Sequence, residues 1–463
     1  MAIATQSYEE PPGEAADAAS AVRQPPWPSP ARAYYTVFVM ALVVMFAEID
    51  RSIMSLLVQG IKTDLRLSDS AMGLLLGVMF ALFYAACGLP LSRYIDRKNR
   101  KNLLAIALGV WSTATVFCGL AQNFVQLAIA RLFLGAGESV NGPAIFSIIT
   151  DSFRKEKLPR AIALMQIGVS AGNAFALIMG SLVIGMLIDM PPLHVTGIGV
   201  IRWWQMVFIV IGLPGLLVAL LTALSVKEPA RRGLLRAEKV KQIGMTQVLG
   251  YLWQNKAVFL PMYGAMALAA LAMGSISWQP AFVQRTYGWT PQHIGMVLGV
   301  MNLFANLGGL FVGVVIVEWL AKRHPDAPYR VVVWGRLIAL APPILMPLMP
   351  TPELAIAMAG LTTFMIGVTG SSTNAILQIV TPNQMRGQAT ALFMFLYSVV
   401  GNGLSPFLLG VVTDLVFHQE SQLRFSLLLV AVLFQPVSLL VLWSGIRPYR
   451  RELKRLGLDT AAA

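Results

Sequence analysis

Four charges sit inside apolar stretches of this chain, where a charge costs several kcal/mol and persists when it faces an internal cavity and works there. Asp50 and Arg51 lie in the run from Tyr34 to Gln59, and Arg131 and Glu138 in the run from Phe124 to Thr150. Arg131 and Glu138 stand seven residues apart, two helical turns, so they share one face about 10 Å apart along the axis. Carboxylates in such a place can carry protons, and guanidiniums can hold anions. The pattern is that of the polar heart of a membrane transporter.

The elements around it must therefore be membrane spans. The 463 residues are 56% hydrophobic and 12% charged, with a mean hydropathy of +0.67. A soluble domain carries roughly twice that charged share. The net charge of +13 does not indicate nucleic acid, because the basic residues gather in short loops between apolar runs. Cys87 and Cys118 fall within apolar runs and imply neither a disulfide framework nor a metal site. Residues 1–33 form a Pro-, Ala- and Glu-rich stretch without the apolar segment of a cleaved signal peptide, and read as a disordered cytoplasmic tail.

Twelve apolar runs are near the 20 residues a helix needs to span a bilayer, at 34–59, 70–92, 103–121, 124–150, 159–187, 203–226, 257–283, 291–320, 331–349, 352–380, 386–415 and 422–446. The fold class is thus an all-α membrane protein. Basic loops at Arg93–Lys101, Arg154–Arg160, Lys227–Lys241 and Lys322–Arg330, with the tail Arg447–Arg455, alternate with linkers holding only Lys62, Arg66, Arg202, Arg285 and Arg424. The positive-inside rule puts both termini in the cytoplasm. Trp203, Trp204, Trp289 and Trp443 read as interfacial anchors.

The linker 227–256 divides the runs into halves, 34–226 and 257–446, followed by a basic cytoplasmic tail at 447–463. Arg160-Ala-Ile-Ala163 echoes Arg386-Gly-Gln-Ala389 at an offset of 226 (386 minus 160). Such a repeat suits two parallel six-helix bundles around a central cavity.

The segment Ser92-Arg-Tyr-Ile-Asp96-Arg97-Lys-Asn99-Arg100-Lys101 resembles the loop signature of the major facilitator superfamily, with Ser92 and Asn99 in place of its two glycines. The resemblance implies a twelve-helix fold of two pseudo-symmetric bundles and a cytoplasmic gate at Asp96, Arg97 and Arg100, with Arg160 and Arg386 at the matching loops. Asp50-Arg51, Ser68-Asp69-Ser70, Arg131-Leu-Phe-Leu-Gly135-Ala-Gly137-Glu138 and Pro382-Asn-Gln-Met-Arg386 are similar to the spinster branch, lysolipid and sphingosine-phosphate transporters among them. The fifth span lacks the glycine-proline signature of drug/proton antiporters, reading Gly168-Val-Ser-Ala-Gly172.

In that family the first and fourth helices are cavity neighbours, so Asp50 is expected to pair with Arg131. Counting residues puts Asp50, Arg51 and Arg131 about 10–14 Å from the outer span ends and Glu138 about 20 Å in. Low dielectric disfavours a charged carboxylate unless a cation offsets it, so Glu138 is expected to load and release a proton. A static ion pair that fixes packing is the alternative. Glu48 either neutralises Arg51 or joins the site.

At the repeat offset the second half has lost these charges and offers Trp278, Gln279, Asn302, Asn374, Gln378 and Tyr397, with methionines such as Met365. Met-rich walls adapt to varied apolar ligands, though each such residue alone can equally be packing or lipid-facing. Arg336 reads as snorkelling near its span end. Gly73-x-x-x-Gly77 and Gly135-x-Gly137 read as packing features.

No phosphate-binding loop occurs and the four histidines fall at loops or span ends, so neither ATP-driven transport nor a membrane-embedded enzyme is expected. The reading is a monomeric, proton-coupled secondary transporter for an amphipathic anion, without metal or cofactor. Its partners are the bilayer, protons and a small anionic or amphipathic substrate, and a bacterial inner (plasma) membrane is the expected site. The alternatives are a small organic anion carrier or a non-transporting sensor.

Overall fold

Helices begin where the sequence supplies caps and end where it supplies breakers. The computed structural model of the chain describes residues 26–95, 98–154, 156–197, 199–231, 244–382 and 384–458. The membrane-long elements, in chain order, are α1 (Pro30–Leu65), α2 (Asp69–Gly88), α3 (Arg100–Cys118), α4 (Phe124–Ser152), α5 (Leu158–Leu187), α6 (Trp203–Ser225), α7 (Lys256–Tyr287), α8 (Pro291–Ala321), α9 (Ala327–Leu348), α10 (Pro352–Val380), α11 (Arg386–Phe417) and α12 (Glu420–Arg455). Ten of these are long and apolar enough to cross a membrane, and the two other expected runs fall on the helices α1 and α5. The helical architecture expected from the hydropathy pattern is what the structure has, with one short antiparallel ribbon, Leu193–Val195 against Gly199–Ile201, between α5 and α6.

Side-chain oxygens of Ser68, Asn99, Asn123, Thr290 and Thr351 accept from backbone N–H groups at the starts of α2, α3, α4, α8 and α10. Proline stands in the first turn of α1, α8 and α10, where its missing N–H costs nothing. Inside the spans the regular ladder breaks at useful places. α4 ends its first segment at Glu138 and restarts at Asn141, ahead of Pro143, which cannot donate to the carbonyl four residues back. α7 breaks at Met273, between Lys256–Ala272 and Gly274–Tyr287. α2 and α11 each carry a π-helical segment, Leu74–Val78 and Ser398–Leu404.

Each half has its own core, built around Met40, Trp111 and Ile145 in the first and Phe259, Tyr329 and Phe393 in the second. A further core joins the halves, setting Ile53 and Leu56 of α1 among Trp278, Phe282, Ile294 and Leu409. α5 packs along α8, and α2 meets α11 backbone to backbone. A Cβ at Gly77 would stand 2.1 Å from the Gly403 carbonyl oxygen, so glycine is required there.

Candidate functional site

The buried charges of the first half do gather, with a different pairing from the one expected. Arg51 on α1 donates through Nε to Glu138 Oε2 at 2.7 Å, and its Nη2 lies 2.5 Å from the same oxygen. Glu48, one turn earlier, holds Arg51 Nη1 at 3.3 Å. Glu138 is wholly enclosed, while a third of the Arg51 side chain is exposed. The close approach of α4 to α2 makes this possible, since a Cβ at Gly135 would sit 2.2 Å from the Phe80 carbonyl oxygen. The Phe80 ring lies 5.3 Å from the Arg51 guanidinium and 5.7 Å from that of Arg131.

Asp50 and Arg131, expected to pair in one access state, make no ion pair in this conformation. Arg131 donates through Nε to the Leu75 carbonyl at 3.1 Å. Asp50 Oδ1, Arg131 Nη1 and Glu138 Oε1 are all buried without a hydrogen-bond partner. Leu75 belongs to the π-helical segment of α2; the rotation this imposes was not readable from residue spacing.

The second half holds a chamber of about 210 Å³ between α7, α9, α10, α11 and α12. Of the expected wall residues, Asn374 and Tyr397 line it. The others do not. Trp278 is fully buried in the core and donates to the Pro406 carbonyl at 3.0 Å. Gln279 is buried beside it in the chain, Asn302 accepts from Thr363 at 3.2 Å and ties α8 to α10, Gln378 is exposed, and Met365 lines a separate groove with Ile316 and Trp334. Arg336, read as snorkelling, lies in the chamber wall with Tyr397, Asn374 and Gln435. Its hydrogen-bond partner is the Met266 sulfur, at 3.8 Å. A lone arginine nine residues into a span carries no spacing signal that separates these roles.

At the end of the helices opposite the chain termini, charges from both halves interlock. Asp69 is fully buried and receives Lys62 Nζ at 2.6 Å and Arg285 Nη1 at 2.8 Å. Glu420 lies 2.9 Å from Lys62 Nζ, and Asp414 accepts from the Asp69 and Ser70 amides at 3.1 and 2.6 Å. Sequence reasoning treated Lys62 and Arg285 as linker charges and missed this cluster, whose members come from five separate segments. Trp204, expected at an interface, is buried and donates to Asp64 at 3.0 Å.

At the other end, Asp96 and Arg97 lie outside the described residues. Arg100 does not bridge the halves. It is buried within the first half, paired with Asp151 and, at 2.6 Å, with Glu228, and it donates to the Pro229 carbonyl at 2.9 Å. Arg160 and Arg386 are exposed, Arg386 donating to the Thr381 carbonyl at 2.9 Å.

Residues 40–406 match the sequence profile of the Major Facilitator Superfamily. The chain belongs to that superfamily. Within it, an "MFS-type efflux pump" of Mycolicibacterium smegmatis is 28% identical over 92% of this chain and 95% of its own length. Protein spinster of Drosophila melanogaster is 23% identical over 83% of this chain and 62% of its length. A probable L-galactonate transporter of Escherichia coli is 24% identical over 81% and 82%. Among solved structures, a bacterial homologue of the human lysosomal transporter spinster, inward-facing and unoccupied, superimposes with a TM-score of 0.75 at 23% identity, over 94% of this chain and 100% of that one. The likeness to the spinster branch read from the motifs is thus found in sequence and in fold. As a major facilitator protein the chain is an integral membrane transporter and not an enzyme.

Proposed function

We propose that this chain is a proton-coupled secondary transporter that moves an amphipathic, lysolipid-like anion by alternating access. The observation that carries the reading is the Arg51–Glu138 pair, a wholly enclosed carboxylate held by a partly exposed cation. While Glu138 is ionised it neutralises Arg51; once protonated it releases that cation to an anionic head group. The Glu138 carboxylate and the substrate anion then compete for one guanidinium, so that binding a proton favours binding the substrate, the condition for coupling. Asp50, with one buried oxygen left unpartnered, supplies a second place for the proton to rest.

The basic loops support a cytoplasmic location for both termini. The Lys62–Asp69–Arg285 cluster then closes the outer side in this conformation. A bacterial inner membrane and a monomeric carrier remain part of this reading.

Purified protein in liposomes with an imposed pH gradient tests it, with fluorescent lysophosphatidylglycerol as probe. The unmodified protein should accumulate the probe, and Glu138→Gln should lose gradient-driven uptake while keeping counterflow. Normal gradient-driven uptake by the variant would overturn the coupling role.

A second reading, transport of a small organic anion, is favoured by the chamber around Arg336, which is small and rich in hydroxyl and amide groups. Labelled D-galacturonate in the same liposomes decides between the two.

A further inference from the structure

Arg336 is a cation inside the second bundle with no carboxylate in its surroundings among the described residues. The chamber wall it belongs to contains Thr369, Thr373, Asn374, Tyr397 and Gln435 and no acidic residue. An uncompensated charge at such depth, about 14 Å along α9 from Ala327, is costly and is kept where a cavity uses it. The lining is arranged to receive more than a charge. Thr369 and Thr373 spend their hydroxyl protons on carbonyls of their own helix at 2.9 and 2.8 Å, which leaves their oxygen lone pairs as acceptors. Asn374 Oδ1 is buried without a partner. Tyr397 donates to the Met273 sulfur at 2.9 Å, at the break in α7.

We propose that this chamber is an anion subsite, in which Arg336 holds an oxyanion while Asn374, Thr373 and Gln435 take up hydroxyl groups flanking it. The chemistry fits a hydroxylated acid, whether a free sugar acid or the phosphoglycerol head of a lipid. This rests on the reading of the chain as an anion carrier and deepens it. Arg51 is already neutralised by Glu138 and Glu48 in this conformation, and Arg131 is enclosed. Arg336 is the cation in this chamber's wall left to receive an incoming anion. The expectation that charge survives only in the first half is thereby revised, and the two halves hold separate stations.

The test uses purified full-length protein in detergent, titrated with D-galacturonate and neutral D-galactose, and with lysophosphatidylglycerol and neutral monoacylglycerol. At least one anion should bind and raise Tm, with its neutral analogue weaker. Arg336→Gln should cut that affinity by about tenfold or more and abolish the preference, and Asn374→Ala should weaken binding of the hydroxylated anion to a smaller degree. Arg336→Met should melt no lower than the unmodified protein without ligand, because it removes an unpaired, half-buried charge. A protein that binds the anion through Arg336 yet shows no pH-driven uptake fails the coupling reading alone, which separates failure of that reading from failure of this one. Arg336-dependence seen only with galacturonate identifies a free acid as the occupant, and only with the lysolipid a head group. Absence of anion binding to the unmodified protein, or unchanged anion preference in Arg336→Gln, overturns the proposal.

Discussion

Arg51 meets Glu138 across 87 positions of chain, and both contacts, from Nε at 2.7 Å and Nη2 at 2.5 Å, fall on one carboxylate oxygen. The second oxygen, Oε1, is buried and unpartnered. The pair is therefore lopsided in energy as well as in geometry.

Removing one partner of a buried pair costs about 3–5 kcal/mol when the other charge is left uncompensated. Arg51→Gln strands an enclosed carboxylate, whereas Glu138→Gln leaves Arg51 with Glu48 and partial exposure. Thermal melts in detergent at neutral pH should rank Arg51→Gln well below Glu138→Gln, with the double variant recovering part of the loss. Equal losses for the two single variants would show that the carboxylate is not the dependent member.

Asp50 and Arg131 lie unpaired here, each with an unpartnered atom. An ion pair between them would then belong to another conformation on the transport cycle. A double-mutant cycle of Asp50→Asn and Arg131→Gln should give a coupling of at least about 0.5 kcal/mol in transport rate. Strict additivity would mean that the two never meet.

The Lys62–Asp69–Arg285–Glu420 cluster is expected to hold one end shut. Gln59 Nε2 lies 3.5 Å from Glu420 Oε2, so paired Gln59→Cys and Glu420→Cys should be bridged by a short bis-methanethiosulfonate cross-linker that blocks transport until reduced. Adding Asp69→Asn, which loosens the cluster, should slow that cross-link by about tenfold. A cross-linked carrier that still transports would remove the gate assignment.

Outside the membrane, Asp326 ties the last helix to the loop before α9, accepting from Arg450 at 2.5 Å and Arg330 at 2.8 Å. Burial pushes this carboxyl up, but the hydrogen bonds and charges of Arg450 and Arg330 together hold it below the usual carboxylate range. A carboxylate with a lowered folded-state pKa stabilises above its unfolded value, about 3.9, and loses that contribution as pH falls through the folded value beneath it. Asp326→Asn should melt lower than the unmodified protein at pH 7, with the gap closing in acid below about pH 4. A gap independent of pH would assign the loss to packing alone.

Much of this was legible in the chain because charge in an apolar run is conspicuous. The spans, the halves and the four charges of the first bundle could be read directly, since hydrophobic length and isolated Asp, Glu and Arg are local signals. Pairing was not local. Arg131 and Glu138 share a helix face at the right spacing, yet Glu138 meets Arg51, because the glycines of α4 and the π-helical segment of α2 set the rotation of each helix. Trp278 and Arg336 exchanged their expected roles for a related reason. A tryptophan in a span looks the same in a cavity wall and in a core, and an arginine near a span end looks the same snorkelling and turned inward. The cluster around Asp69 left no trace in spacing, as Arg285, Asp414 and Glu420 reach Lys62 and Asp69 only when the halves meet.

The seam of α2 and α11 has an unusual interfacial tension. Where Gly73 and Gly77 meet Pro406 and Gly403, peptide backbone touches peptide backbone, and helical backbone already has its hydrogen bonds made. Local adhesion along that line is mostly dispersion, about 0.1–0.2 kcal/mol per pair of atoms. A seam so weakly glued is a bearing surface more than a joint. The work of opening then falls on the charges around Asp69 and on the apolar packing beyond the seam, and ionic conditions at that face set how often the bearing turns.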